Sequence, residues 1–245
     1  MSNIILSIRH LQKSFGKKVV HRDITFDLYA GEILGLFGGS GSGKSLILRS
    51  IIGLDHPDSG EILYSGKNLV TLRESDFISI RKEISYVFQN GALFDSLSVE
   101  ANLAYPLREH TDLSESEIHE KVNTMLKLID MEGTNDLLPA ELSGGMQKRA
   151  GLARAIIMDP SVILFDEPTA GLDPTNTQRL VDNILTLKHH RGVTGIFVTH
   201  DIPAALKLVD RIAILHEGRI AVIDSVKNIL KSTDPLVRSF IGNHT

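Results

Sequence analysis

Eight consecutive residues, Gly38-Gly39-Ser40-Gly41-Ser42-Gly43-Lys44-Ser45, constrain this chain more than anything else in it. An apolar strand-like run, residues 32–37, enters them, and a helix-like run leaves from Lys44 with Gly53 placed to end it. Glycines let successive backbone N–H groups curl around an anion, and a helix starting behind them adds the positive end of its dipole. A flexible Gly/Ser loop is the plain alternative, and the strand and helix on either side argue against it. In that setting the spacing is the P-loop pattern. It predicts that Lys44 reaches the β- and γ-phosphates of a nucleotide and that the Ser45 hydroxyl joins a Mg²⁺ shell.

A second element fits the first. Val162-Ile163-Leu164-Phe165 reads as a buried strand that delivers Asp166 and Glu167 to its exposed end. Next to a phosphate-cradling loop, Asp166 is expected to hold Mg²⁺ and Glu167 to act as general base on the attacking water. Without the loop, the pair would read as an ordinary acidic turn. Together the two elements predict a P-loop NTPase, a class shared by kinases, GTPases and helicases.

Composition removes several other classes. There are no cysteines among the 245 residues, so disulfide frameworks, zinc-thiolate sites and thiol nucleophiles are out. Lys and Arg number 26 against 30 Asp and Glu, Trp is absent and aromatics are 5%. A basic stripe or a stacking platform for nucleic acid is therefore not expected. Apolar runs are strand-length, far short of the about 20 residues that span a bilayer. The first ten residues lack a basic, then long apolar, then small-residue order, so no leader is expected there.

Strands are expected at 24–28, 32–37, 62–64, 84–88, 162–165, 195–198, 211–216 and 220–223, with a turn at Glu217-Gly218. Between 91 and 159 the pattern turns helical. There Ser114 and Glu117 form a capping box, with Ile118, Val122, Met125 and Ile129 on one stripe behind it. Asp173-Pro174 opens a helix reaching about residue 190, and two short helices, 226–231 and 235–241, close the chain. The organisation is an α/β core interrupted by a helical insertion.

What separates this chain from other NTPases is Leu142-Ser143-Gly144-Gly145-Met146-Gln147, at the start of a helical run to Met158. Ser143, Gly144 and Gly145 offer a second helix N-terminus for an anion, or simply a capped helix with a flexible glycine pair. One nucleotide has one γ-phosphate, already cradled at 38–45. A second anion site is economical if it serves the nucleotide of another copy, head to tail.

The run 142–147 resembles the signature motif of ATP-binding cassette (ABC) ATPases, and the rest of that family's motifs occur in order across residues 4–242. The resemblance implies a RecA-like P-loop core with an antiparallel β subdomain and an inserted α-helical subdomain. Within one 1–245 domain, the core is then 1–90 and 160–224, the helical subdomain 91–159 and a helical tail 225–245. It implies that Phe15 stacks on adenine, that Gln89 touches Mg²⁺ and senses a membrane partner, and that Asp173 lies in a loop crossing the dimer interface. It further implies that His200 contacts the γ-phosphate, with ATP and Mg²⁺ as cofactors. Phe15, where Tyr is also common, and Gly39, where many members carry a bulkier residue, are small departures.

Within that family, residues 89–99, 104–110 and 234–241, with Met146 in the signature, are similar to the Mla/Mce-type phospholipid-transport ATPases. That similarity implies a peripheral subunit on the cytoplasmic face of the inner membrane, energising lipid transport between the inner and outer membranes. Its partners would be a second copy, an integral permease, an accessory small subunit and an anchored lipid-binding subunit, with no nucleic acid. Another importer's ATPase, or a non-transport assembly ATPase, is the alternative. Phe94, Leu97 and Val99 are expected in part to line a permease groove, with Arg108 and Glu109 at its rim.

Overall fold

Hydrophobic alternation sorts the strands into those that must be covered on one face and those that must be covered on both. The computed structural model describes residues 3–242, apart from the side chains at 190 and 191. The outermost positions of the expected 1–245 domain and 225–245 tail lie outside the described residues. Strands β1 (Ile4–Phe15) and β2 (Lys18–Tyr29) pair antiparallel, and β3 (Ile33–Gly38) runs into helix α1 (Lys44–Ile51). Next come β4 (Ser59–Tyr64), the two-residue β5 (Lys67–Asn68), α2 (Phe77–Glu83) and β6 (Ile84–Val87). Helices α3 (Val99–His110), α4 (Glu115–Leu128) and α5 (Gly144–Ile156) form the insertion. The chain then alternates through β7 (Val162–Asp166), α6 (Pro174–Arg191), β8 (Gly195–Val198) and α7 (Ile202–Leu208). The hairpin β9 (Arg211–His216) and β10 (Arg219–Ser225), then α8 (Val226–Lys231) and α9 (Pro235–Ile241), complete it.

One ten-stranded sheet in the order β5-β4-β1-β2-β10-β9-β3-β8-β7-β6 carries these elements. The run β9-β3-β8-β7-β6 is parallel, whereas β5-β4-β1-β2 is antiparallel. A single parallel pair, Arg219 opposite Asp23, joins the two parts. It is reinforced by the Arg22 and Asp23 N–H groups donating to the Gly218 carbonyl at 2.8 and 3.1 Å. Glu217 and Gly218 both have positive φ, 48° and 74°, the backbone a tight two-residue hairpin requires.

In the parallel strands, residue parity decides the layer. Leu34, Leu36, Val162, Leu164, Ile196 and Val198 pack toward α1, while Ile33, Phe37, Ile163, Phe165 and Phe197 pack toward α5, α6 and α7. A strand apolar on both parities has to lie between two covering layers. The Phe165 and Phe197 rings meet at 5.5 Å between centroids on the second face. The stripe Ile118, Val122, Met125 and Ile129 is buried, and it belongs to the same continuous core as that face of the sheet.

The expected elements are present: 195–198, 211–216, 226–231 and 235–241 match at both ends, while β2 starts at Lys18 rather than residue 24 and α5 stops at Ile156 rather than Met158. Four elements had no counterpart among those expected: β1, the two-residue β5, α2 and α7. In β1 the alternation Leu6, Ile8 breaks at His10 (φ 48°) and resumes at Leu11, a bulge that hides the strand's period. Helix α2 buries only Phe77 and Ile80, too few positions to show a helical repeat. No helix among the described residues is long and apolar enough to cross a membrane.

The capping box is testable. The Ser114 hydroxyl accepts from the Glu117 N–H, and the Glu117 carboxylate accepts from the Ser114 N–H at 2.8 Å. Ser114→Ala should lower stability by about 1 kcal/mol, visible as a drop of about 2–4 °C in Tm. An unchanged Tm would mean that α4 is held by its buried stripe alone.

Candidate active site

The parallel strands end together, so the segments following β3, β7 and β8 converge at one edge of the sheet, where open α/β folds hold ligands. After β3 the chain passes through a tight turn, with the Ser42 N–H on the Gly39 carbonyl at 3.2 Å and Gly41 and Gly43 at φ 71° and 99°. Lys44 folds back over this loop. Its ammonium donates to the carbonyls of Gly38 at 2.9 Å and Gly39 at 3.2 Å and is 5% exposed. Burial lowers its pKa, opposed by the charges of Glu167 and Asp166. A Cβ at Gly39 or Gly41 would meet nothing within 4 Å, and the Ser42 hydroxyl is buried without a hydrogen-bond partner. A buried cation, open backbone and an unsatisfied hydroxyl suit a polyanion.

On one side stands Asp166 at the end of β7. Its Oδ1 accepts from the Ser45 hydroxyl at 2.6 Å and its Oδ2 from the Tyr86 hydroxyl at 2.7 Å. Burial and the neighbouring carboxylate push the Tyr86 phenol well above its ordinary range, so it stays a donor. Sequence reasoning missed Tyr86. The signal lay in parity: β6 pairs with β7 with Tyr86 opposite Leu164, placing Tyr86 on the Asp166 face. A hydroxyl and a carboxylate form an all-oxygen donor set, the kind that Mg²⁺ takes.

On the other side is Glu167, with φ 50°, a backbone conformation that a non-glycine residue adopts at a cost of order 1 kcal/mol. Its N–H donates to the Val198 carbonyl at 2.9 Å, which fixes it beside β8. One carboxylate oxygen accepts the His200 N–H at 3.1 Å and the other lies 3.3 Å from His200 Nε2. The structure thus brings Lys44, Ser45, Asp166, Glu167 and His200 to one edge.

Phe15 ends β1 and is 54% exposed, with the Lys13 ammonium 5.3 Å from its ring centroid. Gln89 is exposed, two residues beyond β6. Ser143 and Gly144 are exposed at the start of α5, where the Ser143 hydroxyl accepts the Met146 N–H at 3.3 Å. A Cβ at Gly145 would lie 2.6 Å from the Asn176 amide oxygen, and Asp173 caps α6 by accepting the Thr175 and Asn176 N–H groups at 3.0 Å. Lys148 donates to the Ala170 carbonyl. These contacts seat the signature helix on the loop between β7 and α6 within the same chain.

The segment after Gln89 is seated on α5 by absence of side chains. A Cβ at Gly151 would fall 2.6 Å from the Gly91 backbone, and one at Gly91 would fall 2.8 Å from the Gln147 carbonyl. Arg154 donates to the Ala92 carbonyl at 2.7 Å and stacks over Phe94 at 5.2 Å. Val99 is fully buried, whereas Phe94 and Tyr105 are 45% and 46% exposed and meet edge to face at 5.2 Å. Arg108 is paired with Glu115 at 2.6 Å.

A glycine loop under a buried ammonium, a carboxylate pair and a capped Ser-Gly-Gly helix on this sheet are the architecture of a P-loop ATPase of the cassette type. The chain matches the ABC transporter family over residues 21–170 and belongs to it, as its ATP-binding subunit and an ATPase. It is 40% identical, over 98% of its length and 69% of the relative's, to the probable ribonucleotide transport ATP-binding protein mkl of Mycobacterium leprae. To the intermembrane phospholipid transport system ATP-binding protein MlaF of Escherichia coli K12 it is 39% identical, covering 97% of this chain and 88% of the relative. Among solved structures, the dimeric ATP-binding cassette MJ0796 in a post-hydrolysis state with ADP and Pi superposes with a TM-score of 0.82 at 29% identity. That superposition covers 90% of this chain and 98% of the other.

One buried residue at this edge, His21 in β2, gives a pH prediction. Burial pushes its pKa down, opposed by a hydrogen bond with the Gly43 carbonyl. The unfolded chain therefore binds a proton near pH 6.5 that the folded chain refuses until lower pH, so stability is full above that value and falls as pH drops. Denaturation curves between about pH 7.5 and 5.5 should show wild type losing stability more steeply than His21→Gln. Parallel curves would mean that His21 titrates alike in both states.

Proposed function

We propose that this chain is the ATP-hydrolysing subunit of a transporter that moves phospholipid between the inner and outer membranes. The observation that carries the ATPase mechanism is the arrangement around Lys44: a buried ammonium over an open loop, Ser45 and Asp166 on one side, Glu167 and His200 on the other. In this reading residues 38–45 cradle the phosphates of ATP and Lys44 supplies their counter-charge. Phe15 stacks on the base. Ser45, Asp166 and Gln89 would hold Mg²⁺, which supplies neutralisation of phosphate charge. Glu167 accepts the proton of the attacking water, held in place by the His200 N–H, and His200 itself contacts the γ-phosphate.

Two copies are proposed to close head to tail, with Ser143, Gly144 and Gly145 of one chain facing the nucleotide of the other and Asp173 at the interface. The exposure of Ser143, Gly144 and Asp173 supports this, as does the dimeric state named for the MJ0796 cassette. Residues 1–90 and 160–224 would act as the catalytic core, 91–159 as the helical subdomain and 225–245 as the tail. Phospholipid as cargo is supported by the 39% identity to MlaF across 97% of the chain. A permease, an accessory small subunit and an anchored lipid-binding subunit would complete the assembly at the cytoplasmic face of the inner membrane. The 40% identity to mkl favours a second reading, a nucleotide-transport ATPase. Reconstitution with the permease and assay of both cargoes distinguishes the two.

Glu167→Gln should keep ATP binding, lose about 10²–10⁴-fold in kcat and accumulate as an ATP-bound dimer on size exclusion. Near-normal turnover would remove Glu167 from its role. Lys44→Ala should fail earlier, at binding.

The partner surface gives a second test. Val99→Asp buries a charge and should cost several kcal/mol, unfolding the helical insertion. Phe94→Asp should leave a folded, ATP-binding chain that no longer co-purifies with its permease. If it still co-purifies, the docking groove lies away from the Phe94–Tyr105 pair.

A further inference from the structure

Beneath the phosphate-cradling loop lies a buried, titratable side chain that none of these roles uses. His21 is 0% exposed, and its Nε2 is 3.0 Å from the Gly43 carbonyl oxygen. A carbonyl only accepts, so the ring proton sits on Nε2 and the imidazole is a donor to Gly43. Its Nδ1 is then a bare acceptor, and it is buried with no hydrogen-bond partner. That is a costly arrangement for a residue that merely fills space, since an apolar side chain would leave nothing unsatisfied.

The carbonyl it holds is a sensitive one. Gly43 caps α1 with φ 99° and ψ 18°, and no side chain caps that helix. Its oxygen also takes the Ile47 N–H at 3.1 Å, the first turn of α1. Glycine at positive φ has no Cβ to resist rotation of the peptide plane. In a trans peptide the C=O and the following N–H point in opposite directions. A donor on the β2 side that fixes the Gly43 oxygen therefore turns the Lys44 N–H the other way, into the loop. The fit leaves no slack: a Cβ at Gly43 would fall 2.5 Å from His21 Nε2 and 2.6 Å from Val20 Cγ1.

We propose that His21 is a positioning residue for nucleotide binding, preorienting the Gly43–Lys44 peptide so that the Lys44 N–H is ready for a phosphate oxygen. This rests on the reading of residues 38–45 as the phosphate cradle. Loss of the bond leaves the Gly43 oxygen held by the Ile47 N–H alone, so the peptide is less firmly oriented and binding must fix the remainder.

ADP affinity measured calorimetrically in EDTA, without metal and without turnover, tests the proposal on wild type, His21→Leu, His21→Gln and Lys44→Ala. His21→Leu should keep its fold and bind ADP about two- to tenfold more weakly, the worth of one net hydrogen bond. With ATP, its KM should rise by a similar factor while kcat stays near wild type. His21→Gln, which carries an N–H of similar reach, should recover most of the affinity. A folded His21→Leu that binds ADP as wild type does, while Lys44→Ala has lost binding, overturns the proposal and leaves the loop reading intact. Wild-type affinity in Lys44→Ala overturns the loop reading itself. If His21→Leu does not fold, the ¹⁵N spectrum of the wild-type imidazole decides: a protonated Nε2 with a bare Nδ1 supports the proposal, and the opposite tautomer overturns it.

Discussion

A single buried ammonium organises this molecule. Taking the Lys44 charge out of water is costly, and the site offsets that cost with two carbonyls at 2.9 and 3.2 Å and the charges of Glu167 and Asp166. Those four groups come from β3, the loop behind it and the end of β7, so the two strands must be in one sheet and end at one level. Parallel pairing through β8 supplies that level: Leu36 and Asp166 both pair with Val198. Parallel strands in turn need covering on both faces, which accounts for the two-sided apolar runs and the helices on either side. The charge at the loop and the hydrophobic pattern of the core are parts of one constraint.

Most of that was legible in the residues because the pattern and the mechanism coincide. The glycines at 38, 39, 41 and 43, the apolar run before Asp166, and Asp173-Pro174 each state their local geometry. What escaped was information held between segments distant in the chain. Tyr86 donates to Asp166 across 80 positions, and only the register of β6 on β7 reveals it. His21 looks like any residue of an amphipathic strand until β2 is laid under Gly43. The bulge at His10 erased the alternation of β1, and α2 is too short to show a period. The apolar run 94–99 was divided by the fold: Val99 went to the core and Phe94 to the surface, a sorting that residue type alone could not make.

The helical insertion is bound to the site by contacts with little slack. Gly91 and Gly151 touch backbone to backbone, Arg154 holds the Ala92 carbonyl while stacking on exposed Phe94, and Lys148 holds the Ala170 carbonyl two residues from Leu172 and three from Asp173. One helix, α5, thus carries the exposed aromatic pair at one of its faces and the loop after Glu167 at another. Close-packed contacts of this kind transmit displacement instead of absorbing it.

The strand order also sets a timetable for the nascent chain. β3 lies between β8 and β9, whose residues begin at 195 and end at 216. The strand that leads into the loop before Lys44 therefore leaves the ribosome with neither neighbour yet made. At about 5–20 residues per second the wait is on the order of ten to thirty-five seconds, during which Ile33, Leu34, Leu36 and Phe37 have no sheet to enter. A chain cut short before β9 would leave β3 as an uncovered apolar edge, however complete its glycine loop, and such an edge recruits other chains. For this topology residues 195–216 decide whether residues 33–38 have a place to fold.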